Sequence, residues 1–176
     1  MPTNLLKKYP SLLELAHLSE YERTKSLKGV FNRDLDNDKA LIFQTKTISP
    51  IKGEEPSMLI LFKHLTTSEI EETENNGKKV KRRIFEMDRS VRLHWIYPHI
   101  KETIKENIKI FSTEERIRGR YVNRTYIYNT KAKYVIVLEP QRSKRDYYLL
   151  SAYYLNRTYG EKMIKKKLKN CLTELL

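Results

Sequence analysis

The chain has 176 residues, 39% hydrophobic and 10% aromatic, enough for one compact domain with a modest core. Its net charge of +13 favours a polyanionic partner, with nucleic acid ahead of an anionic membrane surface. A single cysteine, Cys171, excludes an intrachain disulfide and a cysteine-built zinc site. Residues 1–10 lack the apolar segment of a signal peptide, and no apolar stretch approaches the roughly 18 residues of a membrane span. We therefore expect a protein that works in the cytoplasm, its own or one into which it is delivered, and no membrane partner.

The first part of the chain predicts a helix followed by a strand. Ser11 and Glu14 have the spacing of a capping box, which predicts a helix over residues 10–28. Residues 40–48 contain a short apolar run typical of a strand. Residues 58–65 are also apolar, but the run is too short for its period to distinguish a strand from a buried helix.

A β-hairpin is predicted over residues 69–87. An acidic segment, 69–74, and a basic segment, 78–85, flank Asn75-Asn76-Gly77. The Asn-Gly pair is a strong signal for a hairpin turn, and the opposite charges favour pairing of the two arms.

A helix is predicted over residues 89–106, with Asp88 as its N-cap and a kink or split at Pro98. One side of this helix would be core: Leu93, Ile96, Tyr97, Ile100 and Ile104. His94 and Trp95 fall on the opposite side, which should then be polar. A histidine and an aromatic residue on a face turned away from the core indicate a possible site.

The C-terminal half predicts a meander and a basic helix. Residues 108–111 begin the first strand region, and further strands are predicted over 121–128, 134–139 and 147–155. A lysine-rich helix follows over about residues 160–174. The predicted class is α+β, with an N-terminal helical segment, an antiparallel meander of about four strands and a C-terminal basic helix. We divide the chain into a helix-and-strand extension, 1–60, and a core, 61–176; the two can also form one continuous domain.

The last predicted strand, 147–155, carries four tyrosines and one serine. Strict alternation divides it into two faces: Tyr147, Leu149, Ser151 and Tyr153 on one, and Tyr148, Leu150, Ala152 and Tyr154 on the other. We expect the second face to be mainly core. Ser151 and Tyr153 then remain as candidates for contact with a substrate.

The residue types favour chemistry without a metal or another cofactor. The four histidines lack ligand spacing, no Gly-x-Gly loop is present, and the acidic pairs 71–72 and 114–115 are expected to be solvated. An RNase without a metal needs only a base, an acid and cations, because the 2′-hydroxyl of RNA is the nucleophile. A hydroxyl side chain can hold a phosphate oxygen.

Four residues are the catalytic candidates, with Arg92 and Ser151 on the phosphate and His94 or Tyr126 moving protons. The substrate-binding candidates are Arg89, His99, Arg124, Tyr128, Tyr153, Lys165 and Lys166. Each also has a plain structural explanation. His94 can fill a groove, Arg92 can pair with a carboxylate, and the lysines can form a solvated helix face that attracts phosphates without reading sequence.

Several of these segments together resemble a known family. They are Arg89–Ile96 (RSVRLHWI), Arg124–Tyr128 (RTYIY), Tyr134–Leu138 (YVIVL) and Tyr147–Tyr153 (YYLLSAY). In this order, across residues 88–157, they are similar to the phage-associated branch of the barnase–EndoU–colicin–RelE-like RNases. There an Arg-x-x-x-Trp-Ile type helix precedes an aromatic strand, a hairpin and a Thr/Ser-Ala-Tyr strand.

The resemblance implies a metal-independent endoribonuclease, used as a toxin in phage defence, toxin–antitoxin systems or competition between bacteria. Its site would lie between the helix and the concave face of the sheet. Ser151 corresponds to the Thr/Ser of the last strand, and Arg92 and His94 also fall within the matched segments. Residues 1–60 lie outside the resemblance and could serve delivery, dimerisation or partner binding.

The first hypothesis is therefore a cytoplasmic RNase toxin that cleaves tRNA or mRNA to a cyclic phosphate by attack of the 2′-hydroxyl, with an acidic antitoxin or immunity protein as a possible partner. The alternatives are a non-catalytic basic regulator that binds RNA or DNA through stacked tyrosines, and a structural or interaction protein of a phage.

Overall fold

A computed structural model describes residues 3–143 and 145–176 and confirms the α+β class. The strands are β1 (Ile42–Phe43), β2 (Lys46–Pro50), β3 (Thr67–Thr73), β4 (Lys79–Phe85), β5 (Ile108–Ile117), β6 (Arg120–Asn129), β7 (Tyr134–Pro140) and β8 (Asp146–Tyr154). The α-helices are α1 (Glu20–Asp34), α2 (Ser57–Thr66), α3 (Met87–Ser90), α4 (Ile96–Ile100) and α5 (Thr158–Lys169). Short 3-10 helices cover Thr3–Leu6 and Leu93–Trp95. In these described residues, no helix is both long and apolar enough to cross a bilayer.

Six strands form one mixed sheet in the order β1-β2-β8-β7-β6-β5. The antiparallel run from β5 to β8 is the predicted four-stranded meander. The sheet extends beyond it, because β2 pairs with β8 in parallel and β1 pairs with β2. The hairpin of β3 and β4 forms a separate two-stranded sheet and confirms the prediction from Asn75-Asn76-Gly77.

Each face of the large sheet has its own apolar core. The face that we call the α1 face carries Ile127, Ile136, Leu138 and Leu149, which pack with residues of α1, α2 and α4. The α5 face carries Phe111, Tyr126, Tyr128, Val135 and Val137, which pack with Ile164 and Leu168 of α5. Since the buried residues of α1 and Phe43 of β1 belong to the first core, the N-terminal sixty residues are part of this packing.

A β-bulge in β8 changes the predicted division of the tyrosine-rich strand. Leu138 pairs with Leu149, whereas the preceding Val137 pairs with Ser151, so Leu150 is an extra residue. Leu150 packs with the α5-face core, although strict alternation would put it with Ala152 on the α1 face. The expectation that the Tyr148 face is mainly core is therefore wrong: the α1-face core contains Tyr147, Leu149 and Ala152. A bulge adds one residue on one strand and shifts the period of the side chains beyond it.

The first helix begins later than predicted. Residues 10–18 are not helical, and α1 starts at Glu20 with Ser19 as its N-cap. The capping box is formed by Ser19 and Glu22, whose carboxylate accepts the Ser19 backbone N–H at 2.9 Å. The earlier segment is held in a non-helical path because the Asn4 side chain bonds both backbone groups of Glu14, and Leu13 N donates to Val91 O.

The predicted helix over residues 89–106 is split into α3, a 3-10 turn and α4, and it ends at Ile100. The N-cap is Glu86 rather than Asp88. The break lies at Val91 and Arg92, not at Pro98. Pro98 sits in the first turn of α4, where its missing N–H would have no intrahelical partner.

Two further segments of the sequence analysis are helical, and the tail after the second helix covers one edge of the sheet. The ambiguous run 58–65 lies within α2. The predicted helix over 160–174 ends at Lys169 as α5, and the tail then crosses the edge strand β5. Leu172 N donates to Ser112 O at 2.8 Å, and Leu176 N donates to the Ser112 hydroxyl at 3.0 Å. The tail thus covers an edge that would otherwise expose unpaired backbone groups.

Replacing Ser19 with alanine should lower the free energy of unfolding by about 1 kcal/mol, because the capping box of α1 loses its side-chain acceptor. The measurement is urea unfolding followed by circular dichroism. Ser11→Ala is the matched control, since Ser11 contributes its backbone carbonyl and not a cap. A larger loss in Ser11→Ala than in Ser19→Ala would contradict the assigned helix start.

Candidate active site

Two strands and a helix bring a carboxylate, an ammonium and a phenol together on the α5 face. The Oε1 atom of Glu115 on β5 accepts from Lys167 Nζ at 2.6 Å, from Thr113 Oγ1 at 2.8 Å and from the Tyr126 hydroxyl. Lys167 also donates to the Tyr126 hydroxyl at 2.8 Å. None of the described residues donates to Glu115 Oε2. We call Thr113, Glu115, Tyr126 and Lys167 the Glu115 cluster.

The Glu115 cluster is partly shielded from water but charged. The side chains of Glu115 and Lys167 are 19% and 26% exposed. Burial alone raises the pKa of Glu115, but hydrogen bonds from Lys167, Tyr126 and Thr113 together outweigh it and hold this pKa below its usual 4.5. Burial and the neighbouring carboxylate raise the pKa of Tyr126, so this phenol stays protonated. At neutral pH the cluster therefore contains an anion, a cation and a hydroxyl donor.

The end of β8 adds Tyr153 and Ser151 to the same face. Ser151 pairs with Val137 and Tyr153 with Val135, two residues of the α5-face core. Burial and the Glu115 carboxylate raise the pKa of Tyr153 to about 12, while Arg89 opposes this shift. Tyr153 therefore lies within electrostatic range of the Glu115 cluster. Ser151 is half-buried.

His94 lies on the other side of the sheet from Ser151, so these two residues do not form the site that the resemblance implies between the helix and the sheet. It is 3% exposed, and its Nε2 donates to Ser11 O at 2.9 Å, beside the Trp95 indole, which donates to the same carbonyl at 3.1 Å. Burial lowers the pKa of His94 to about 4. The face that sequence periodicity assigned to solvent is covered by the N-terminal segment. His94 also borders a mainly apolar cavity of about 480 Å³.

Arg92 and His99 are likewise held within the α1 face. The Arg92 guanidinium lies 3.7 Å from the centroid of the Tyr154 ring, and its Nη1 donates to Asp88 O at 2.7 Å. His99 donates from Nδ1 to Trp95 O at 2.6 Å and accepts at Nε2 from the Asn129 amide at 3.1 Å. These contacts fix a neutral tautomer of His99 and explain both residues by packing and hydrogen bonding.

The remaining candidates are distributed around the sheet. Arg89 donates to His64 O and Thr67 O, each at 2.7 Å, and Arg124 is paired with Glu139. Tyr128 is 1% exposed within the α5-face core. Lys165 pairs with Glu161 at 3.1 Å, and Lys166 is exposed. Of the predicted strand residues, Ser151, Tyr126, Tyr128 and Tyr153 lie on the α5 face, as does Arg124, which pairs with Thr113. The Arg89 guanidinium acts to lower the pKa of Tyr153.

Sequence reasoning missed Glu115 and Lys167. The expectation that Glu115 is solvated is wrong, although its neighbour Glu114 is exposed. The strand period offered one signal, since Phe111, Thr113 and Glu115 fall on one face of β5. Lys167 had no local signal, because its partner lies 52 residues earlier in the chain.

In the described part of the chain, no three His, Cys, Asp or Glu side chains are grouped so that they could hold a metal ion. No family model, no curated protein and no solved structure matches this chain. The case for function therefore depends on the geometry of the two faces.

His94 gives a pH test of its assigned structural role. Its pKa is lowered from 6.5 in the unfolded chain to about 4 in the fold, so the unfolded state binds the proton more readily. The stability that His94 contributes should be complete above about pH 6.5 and be lost as the pH falls towards 4. We expect the difference in unfolding free energy between wild type and His94→Gln to change across this window. A difference independent of pH would contradict the burial of a neutral His94.

Proposed function

We propose that the protein is a metal-independent endoribonuclease whose active site is the Glu115 cluster together with Ser151 and Tyr153. One observation carries this proposal: an ionised carboxylate with a free oxygen is held beside an ammonium and protonated phenols, in a chain of net charge +13. These are the groups that RNA transesterification requires. The resemblance of residues 88–157 to toxin RNases supports the same reaction.

Glu115 is the general base of the proposed reaction. It is ionised at neutral pH, and its Oε2 is available because the three donors bind Oε1. The carboxylate takes the proton of a ribose 2′-hydroxyl, and the 2′-oxygen forms a bond to phosphorus. The bond from phosphorus to the 5′-oxygen then breaks. The products are a 2′,3′-cyclic phosphate and a 5′-hydroxyl end.

The leaving oxygen and the phosphate charge need partners of their own. Tyr153 has a pKa of about 12, so it is protonated at pH 7 and can give its proton to the leaving 5′-oxygen. The Lys167 ammonium and the Tyr126 hydroxyl balance the charge that develops on the phosphate. Ser151 is half-buried on the same face, and no described residue bonds its hydroxyl, so it can donate to a non-bridging oxygen.

Glu115→Gln should reduce RNA cleavage by at least about 100-fold, because it removes the base but keeps the size of the side chain. The assay is incubation of single-stranded RNA with excess EDTA, with detection of cyclic-phosphate ends. Ser151→Ala should also cleave more slowly. Glu114→Gln, the exposed neighbour, is the matched control, and His94→Gln should keep its activity wherever it remains folded.

The same assay distinguishes the alternatives. A DNA strand of the same sequence should stay intact, since it lacks the nucleophile. Binding of RNA without fragments at any pH would contradict the proposed enzyme and favour a non-catalytic binding module. Equal rates for wild type and Glu115→Gln would remove Glu115 from the reaction.

A further inference from the structure

The hairpin of β5 and β6 extends beyond the rest of the sheet. Pairing of β6 with β7 ends at Thr125 and Leu138, whereas β5 and β6 remain paired from Thr113 and Arg124 to Ile117 and Arg120. The two strands therefore project as a two-stranded arm. We call residues 114–123 the arginine arm.

The arm carries three cations that are not neutralised. Arg116, Arg118 and Arg120 are exposed, and none forms an ion pair with a described residue, although Arg118 contributes to lowering the pKa of Glu69. In the hairpin of β3 and β4, by contrast, basic and acidic side chains neutralise each other across the two strands. The Nζ–Oε1 distance is 2.8 Å in both the Lys79–Glu71 and the Lys81–Glu69 ion pairs. Three like charges at one tip repel each other unless a polyanion binds there.

The turn at the tip uses an unusual residue. Arg118 and Gly119 have φ values of +48° and +80°, so the two central residues of the turn are both left-handed. Such turns favour Asn-Gly, and a left-handed arginine is disfavoured. Backbone strain of this kind, at an exposed tip with no packing to require it, points to a role for the arginine side chain.

An exposed aromatic ring lies beside these cations. Tyr121 is 69% exposed, and the Arg116 guanidinium lies 6.0 Å from the centroid of its ring. Arg120 and Tyr121 also line a cleft of about 580 Å³. Its other charged residues are the cations Lys46 and Arg142 and the carboxylates Glu139, which is paired with Arg124, and Glu174. Cations along a backbone path and an exposed ring for base stacking are the two elements of single-strand binding.

We infer that the arginine arm and its cleft bind the backbone of a single-stranded RNA and guide it to Glu115. Arg120 lies on the same face of the arm as Glu115, because it is two residues from Val122, the strand partner of Glu115. Arg116 and Tyr121 pair with each other on the opposite face, so the bound strand crosses the tip of the arm, about 10 Å along the strand from Glu115. The identification of the ligand as RNA rests on the proposed function. The unpaired arginines and exposed Tyr121 favour a nucleic acid over an acidic protein, which would not require a stacking ring.

The test is binding of a 2′-O-methyl oligoribonucleotide, which cannot be cleaved, followed by fluorescence anisotropy over a range of salt concentrations. The triple variant Arg116→Gln, Arg118→Gln, Arg120→Gln should bind at least about tenfold more weakly, with a salt slope smaller by about 2. The matched control is Lys25→Gln, Lys28→Gln, Lys39→Gln, which removes the same charge from exposed positions on and after α1. Equal losses in the two variants would overturn the inference.

Two single variants separate stacking and strain from charge. Tyr121→Ala should weaken binding about fivefold or more without changing the salt slope. Arg118→Asn should raise the melting temperature, because asparagine tolerates the left-handed turn, and should weaken binding. A lower melting temperature with unchanged binding would contradict the role of Arg118.

The outcomes for the arm and for the enzyme can be told apart. If the oligonucleotide binds through the arginine arm but the wild-type protein does not cleave unmodified RNA, the proposed endoribonuclease activity is contradicted and the role of the arm in binding is supported. If the wild-type protein cleaves RNA but the triple variant binds the oligonucleotide as tightly as wild type, the role of the arm is contradicted and the proposed endoribonuclease activity is supported. Polyglutamate that binds as tightly as the oligonucleotide, with no effect of Tyr121→Ala on either, would indicate an acidic protein partner and overturn the inference.

Discussion

The pairing of β8 on both of its edges determines which residues share a face in this fold. β8 is bonded to β2 in parallel and to β7 in antiparallel fashion, so its register is fixed from both sides. The extra residue at Leu150 lets Leu149 and Ala152 both join the α1-face core, while Ser151 and Tyr153 turn towards α5. A shift of one residue would move each side chain beyond the bulge to the opposite face. The location of the proposed site therefore depends on this bulge.

The ionisable groups on the two faces of the sheet differ in charge: the buried histidines on the α1 face are neutral, whereas Glu115 on the α5 face is ionised. On the α1 face, burial lowers the pKa of His94 and His99, and backbone carbonyls accept from their rings, so both histidines are neutral parts of the packing. On the α5 face, hydrogen bonds to Glu115 outweigh the cost of burial and keep a charge in a partly shielded position. A charge maintained in this way is available for chemistry, whereas a neutral buried histidine contributes mainly to stability.

Features with local signals were predicted from the sequence, and features that depend on distant pairing were not. The hairpin at Asn75-Asn76-Gly77, the four meander strands and the α+β class follow from turn residues and side-chain periods. The start of α1 was missed because two capping boxes compete, and only tertiary contacts to Asn4 decide between them. His94 was assigned to an open face because the wheel of one helix cannot show that a segment more than 80 residues away covers it. The contact between Lys167 and Glu115 is equally non-local.

The proposed reaction requires that the substrate binds the α5 face and not the face that holds His94. The most direct measurement is an NMR titration of the folded protein with an uncleavable 2′-O-methyl oligoribonucleotide. We expect backbone amide shifts at Thr113–Glu115, around Tyr126 and at Ser151–Tyr153, continuing into the arginine arm. Shifts confined to His94, Trp95 and the N-terminal segment that covers them would contradict the claim.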